Sequence, residues 1–258
     1  MLTSALFTLH TAAQLALGSL GAAPATVPQH DTPAQGTPWC APELKALEGD
    51  VCYHAGPLKK DDEPRVLVIF LHGLVQVGAD WQHHQQRAIV RGAKRNGFGV
   101  LAPKGIDDGS DKYPGMVAWP TSMKAQKQHE AAVLAQWTHA RAALAEADDR
   151  YDQVYVVGFS NGAYYGTSLA TRGAFEADGY AVFAGGSYWG SATKRRPPIF
   201  VGVCSRDGTT VDRARDLVRA LKRAKWPHRA ETRKVGHTMT DAHLDHAIAY
   251  LREAAGED

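Results

Sequence analysis

Charged side chains are absent from the first thirty positions, cysteine is scarce throughout, and no long apolar run follows the N-terminal segment. Each absence excludes something. Only 3 of the 258 residues are cysteine, and none stands in a C-x-x-C pair, so the usual zinc and dithiol signatures are missing. Lys and Arg total 29 against 27 Asp and Glu, a net charge of +2. The basic residues are scattered apart from Lys194-Arg195-Arg196 and the segment from Arg213 to Arg223, which read as solvated faces. Nothing there builds a field for nucleic acid. Without a run of roughly 18 strongly apolar residues inside the domain, the chain has no membrane span.

What residues 1–30 do contain is a mixture of small and apolar residues from Leu2 to Ala23, then Ala23-Pro24-Ala25 and a Thr/Pro/Gln/Gly-rich linker. That pattern is expected of a secretory leader with an unusual first region, which places the protein outside the cell or in a periplasm. Cysteine usage fits the same compartment. Cys40 and Cys52 flank a short stretch where the N-terminal arm meets the domain. A bridge between them would stabilise by roughly 2–3 kcal/mol. Cys204, at the end of an apolar run, is expected to be a buried free thiol.

The remaining chain, residues 31–258, reads as a single catalytic α/β domain, and the 44% hydrophobic content is enough for one substantial core. Arg65 to Leu71 is a continuous apolar run, the pattern of a strand covered on both faces. Helices are expected over 79–96, ending at Asn96-Gly97, and over 123–147, where Val133, Trp137, Ala140 and Leu144 form one stripe. Strands are expected over 98–102, 153–157, 180–184, 198–204 and 229–235. Helices fall over 161–172 and after 204, with a closing helix capped by Thr240. Strands alternating with helices imply a mostly parallel sheet with helices on both faces. Residues 103–122 read as one long loop, of a length that is often functional.

Chemistry concentrates at Gly158-Phe159-Ser160-Asn161-Gly162, with Val154 to Val157 in front and a helix behind. This is G-x-S-x-G in its meaningful context. A strand reversing sharply into a helix pushes Ser160 out at the top of the sheet, poised as a nucleophile. A serine hydroxyl needs a general base, and the base needs an orienting carboxylate. Asp207 lies just past the strand ending at Cys204, with Asp212 as a fallback, and His237 just past the strand ending at Val235. The backbone N–H groups of Asn161 and of Leu74, in Leu71-His72-Gly73-Leu74, are the candidates for an oxyanion hole. His72 is expected to prop that loop through a hydrogen bond. His83, His84, His243 and His246 are expected to be exposed polar positions, and no metal site is assigned.

These residues resemble the α/β-hydrolase superfamily over about residues 50–255. The oxyanion loop, nucleophile elbow, acid and base occur in the family's order. Within it, the chain is similar to carboxylesterase/phospholipase-type serine esterases, and to feruloyl-esterase and polyhydroxybutyrate-depolymerase-like esterases. Asn161 and Ala163 depart from the Gln and Gly frequent in the first group.

The resemblance implies a serine hydrolase that cleaves carboxylic esters of small molecules or polymers through an acyl-enzyme, without metal or organic cofactor. Trp119, Tyr188 and Trp189 are the candidate substrate-binding residues, with Tyr113 and Met116 from the long loop offering further apolar surface. A peptidase or thioesterase on the same triad is the enzymatic alternative. A hydrolase-like binding module is the other.

Overall fold

Six consecutive apolar residues, Val66–Leu71 (β3), form the strand from which the sheet grows, and all six are buried. Their alternation feeds two cores. Leu67, Ile69 and Leu71 point into one, and Val66, Val68 and Phe70 into the other. In a computed structural model, the described residues are 38–57, 63–110, 112–190 and 193–256. The leader expected over residues 1–30 lies outside them.

The strands are β1 (Lys45–Leu47), β2 (Val51–His54), β3, β4 (Val75–Gln76), β5 (Gly99–Pro103), β6 (Ile106–Asp107), β7 (Met116–Ala118), β8 (Gln153–Phe159), β9 (Gly179–Phe183), β10 (Ile199–Cys204) and β11 (His228–Arg233). The helices are α1 (Trp81–Asn96), α2 (Met123–Glu146), α3 (Asn161–Arg172), α4 (Val211–Arg223) and α5 (Asp241–Ala255). Among the described residues, eight strands make one sheet in the order β1-β2-β5-β3-β8-β9-β10-β11. The pairs from β5 to β11 are parallel, while β1 and β2 join antiparallel. The fold class is therefore α/β with a mostly parallel sheet, as expected.

Helices cover both faces. Trp137 of α2, Tyr165 of α3 and Leu217 of α4 pack with Leu67 and Val156 on one side. Ile89 of α1 and Leu244, Ile248 and Leu251 of α5 pack with Val68 and Tyr155 on the other. The α2 stripe of Val133, Trp137, Ala140 and Leu144 is buried as its spacing predicts. Gly97 closes α1 in the left-handed conformation, and the Thr240 side chain accepts the His243 N–H at the start of α5. No described helix is long and apolar enough to cross a membrane.

Two expectations change. The loop over 103–122 contains β6 and β7, which pair with β4 in a separate three-stranded sheet through Val75↔Val117 and Ile106↔Ala118. The β1–β2 hairpin also lacks a counterpart in the sequence reading. It turns through Gly49 and Asp50, both at positive φ. Cys40 and Cys52 are disulfide-bonded across a Cα–Cα distance of 5.3 Å, fastening the arm to β2. From α1, Gln86 holds the same arm by accepting the Ala41 N–H and donating to the Trp39 carbonyl.

Candidate active site

Because β3, β8, β10 and β11 run parallel, the loops leaving their carboxyl ends open at one edge of the sheet. Ser160 is the turn between β8 and α3, with φ 52° and ψ −115°. A non-glycine residue holds such a φ at a cost of order 1–3 kcal/mol, which the surroundings must offset. Hydrogen bonds do so. The Ser160 N–H donates to Phe183 O at 2.9 Å and the Gly162 N–H to His72 O at 3.1 Å. Contact makes both flanking glycines obligatory. A Cβ on Gly158 would lie 2.4 Å from Gly162 O, and one on Gly162 would lie 2.1 Å from Leu71 O.

Ser160 Oγ lies 2.8 Å from His237 Nε2, and His237 Nδ1 lies 2.7 Å from Asp207 Oδ2. The second contact decides the tautomer. Burial by itself would raise the Asp207 carboxyl, but hydrogen bonds from Thr210, His237 and the Thr209 N–H outweigh it and hold it below its ordinary value. An ionised carboxylate only accepts, so the imidazole proton sits on Nδ1. Nε2 is then free to accept from the serine hydroxyl. Exposure divides the roles as well: the His237 side chain is 40% exposed, whereas that of Asp207 is 1% exposed.

His72 props the neighbouring loop. Its Nε2 accepts the Gly105 N–H at 3.0 Å, which leaves the proton on Nδ1 to donate to Gly73 O. Burial drives this imidazole down to about 4, so it stays neutral. Gln85 Oε1 accepts the Gly73 N–H at 2.7 Å, and a Cβ on Gly73 would crowd Phe159 and Ser160 at 3.1–3.2 Å. The loop thus presses against the elbow. Leu74 and Asn161 both border a cavity of about 860 Å³ that also exposes Ser160 and His237. The Gly162 and Ala163 N–H groups are taken by His72 O and Ser160 O. Asn161 heads α3, where an N–H has no partner inside the helix.

Similarity to known proteins was found in structure only. No protein-family model matches the sequence, and no curated protein matches it. The YahD structure with malic acid superposes at a TM-score of 0.56 with 18% identity, over 80% of this chain and 98% of that one. Arabidopsis thaliana SOBER1 gives 0.53 with 16% identity, over 74% and 99%. The esterase PE8 gives 0.52 with 21% identity, over 78% and 98%. The fold is that of the α/β-hydrolases.

On this hydrolase fold the structure gathers Ser160, Asp207, His237, Leu74 and Asn161 at one edge, and it leaves Asp212 outside. Asp212 is 88% exposed and faces Arg215 at 3.6 Å. The aromatic substrate candidates are displaced. Trp119 is fully buried, stacked on Tyr165, with its indole N–H donating to His72 O at 2.9 Å. Its backbone N–H also donates to Asn161 Oδ1, so Trp119 braces the loops from beneath and does not border the cavity. Tyr188 sets its ring edge against Trp226, and Trp189 donates to Ser187 Oγ; neither borders the cavity. Met116 is paired with Gln76 between β7 and β4.

Of the loop aromatics, Tyr113 does line the cavity, joined by Trp81, Phe159 and Tyr164. The chain carries a weak signal for Trp81, which opens the helix after the His72-Gly73-Leu74 loop, and for Thr210, three residues past Asp207. Two histidines also differ from expectation. His83 is buried and hydrogen-bonds Pro38 O, and His243 is fully buried with neither ring nitrogen hydrogen-bonded. His246, by contrast, is exposed and hydrogen-bonds Glu231. Cys204 is a buried free thiol as expected, raised by burial and donating to Thr238 O.

Proposed function

We propose that this chain is a serine hydrolase that cleaves carboxylic esters through an acyl-enzyme. The observation that carries the reading is the unbroken line from Ser160 Oγ through His237 to the buried Asp207 carboxylate. In this reading His237 Nε2 takes the Ser160 proton as Oγ attacks the ester carbonyl. The Leu74 and Asn161 N–H groups receive the oxyanion, where loss of one donor typically costs ~3 kcal/mol. His237 then returns the proton to the departing alcohol. A water deprotonated by the same nitrogen attacks the acyl-enzyme, and collapse of the second tetrahedral intermediate frees Ser160 and the acid. Asp207 holds the tautomer and stabilises the imidazolium throughout.

The esterase PE8, which shares the fold, supports ester hydrolysis as the chemistry. The Cys40–Cys52 disulfide supports an oxidising compartment, secreted or periplasmic. A fluorophosphonate probe tests the reading. It should label the parent at Ser160 and leave Ser160→Ala unlabelled; an unlabelled parent would reject the nucleophile. A panel of short-chain, long-chain, aryl and polymeric esters, with thioester and amide counterparts, then separates an esterase from a thioesterase or peptidase.

A further inference from the structure

Arg213 belongs to the arginine-rich segment expected to be a solvated face, and most of α4 behaves that way. Arg215 and Arg219 pair with Asp212 and Asp216 along the helix. Arg213 does not. It borders the cavity over Ser160 and His237, and it makes no ion pair among the described residues. Lys112 borders the same cavity from the loop between β6 and β7, with its ammonium 5.2 Å from the Tyr113 ring centre and likewise no described ion-pair partner. No described lining residue is acidic; the others are glycine, apolar or aromatic side chains, hydroxyls, Asn161 and His237. Arg213 also lies close enough to Tyr164 to act against the burial that raises its phenol.

Two cations, with no acidic side chain among the described lining residues and the Asp207 carboxylate set behind His237 and Thr210, put positive charge where a substrate arm must lie. A partly enclosed cavity of about 860 Å³ concentrates the resulting potential better than open surface does. Charge complementarity of this kind selects partners by sign. We propose that Arg213 and Lys112 select esters whose acyl or alcohol arm carries a carboxylate. This rests on the ester-hydrolase reading of Ser160. Arg213 reaches in from the first turns of α4 and Lys112 from the long loop, so an anionic arm meets cations from two separate elements. Hydroxyls of Thr121, Ser187 and Thr209 line the space as well.

The test compares 4-nitrophenyl hydrogen glutarate with its neutral methyl ester at matched chain length. At low ionic strength the parent should favour the anionic ester by about tenfold in kcat/KM, mostly through KM, and added salt should shrink the ratio. Arg213→Glu and Lys112→Glu should each pull the ratio toward one, and the pair together should invert it. Both side chains are exposed, so the fold should tolerate the changes. A parent ratio at or below one, or a ratio that neither variant moves, overturns the proposal. Calorimetry on Ser160→Ala with monoethyl and diethyl glutarate reads recognition apart from chemistry. Tighter binding of the monoester that Arg213→Glu removes supports the proposal, and equal binding rejects it. If the parent cleaves neither ester while monoester binding persists, the hydrolase reading fails and the anion site stands.

Discussion

The Thr210 hydroxyl and His237 Nδ1 both donate to one oxygen of Asp207, Oδ2, while Oδ1 accepts the Thr209 and Thr210 N–H groups. The carboxylate therefore has a single orientation, fixed by the turn that starts α4. The carboxylate's orientation and the helix start are one device.

Thr210→Val removes one donor to the anion without changing side-chain volume much. The Asp207 carboxyl should rise, the imidazolium should lose part of its support, and kcat should drop by about tenfold with KM little altered. Thr210→Ser should restore the rate. A steady-state comparison of the three proteins checks this, and equal rates for the valine variant and the parent would reject the role of the hydroxyl.

His237→Ala should approach the residual rate of Ser160→Ala, and the double variant should add little, because the members act as a unit. Asp207→Asn should keep the fold while lowering turnover by as much as ~10⁴, since the amide favours the wrong tautomer. Asp212→Asn should be nearly silent, as its carboxylate is solvent-exposed. The reverse ranking of the two asparagine variants would move the acid.

Acid should weaken the protein partly through His72. Unfolded, this imidazole takes a proton near pH 6.5; folded, burial delays it to about 4. Between those values the unfolded chain binds the extra proton, so stability falls as pH drops, at up to ~1.4 kcal/mol per pH unit from this one group. Asp207 adds a loss in the same direction lower down, as pH falls through its depressed folded value. Urea midpoints measured between pH 7 and 4.5 should show a steeper fall in the parent than in His72→Gln, whose amide can still donate and accept. Parallel slopes would mean that His72 is not the group held neutral.

Alkylation of the unfolded protein without reductant should modify one cysteine per chain, Cys204, and reduction should raise that to three. Three modified cysteines before reduction would remove the bridge and the compartment inferred from it.

Local sequence carried the elbow and its order. Gly158 and Gly162 are needed because backbone carbonyls lie within van der Waals reach of where a Cβ would go, and a strand-Ser-helix pattern implies that crowding. The long α2 stripe, the Gly97 and Thr240 caps, and the positions of Asp207 and His237 just past strands are likewise short-range signals. Tertiary structure decided the rest. The pairing of β4 with β7 joins residues about forty positions apart in two- and three-residue strands, too short for any periodicity. Trp119 left the substrate list because its indole N–H found the His72 carbonyl under the loop, a partner no local pattern indicates. Arg213 entered the cavity wall while its helical neighbours paired with aspartates, because only the docking of α4 determines which arginine faces Ser160. Sequence by itself determined the strained turn that presents Ser160, since that turn and its flanking glycines are contiguous. Which side chains surround that serine depends on non-local packing, and so became visible only in the folded chain.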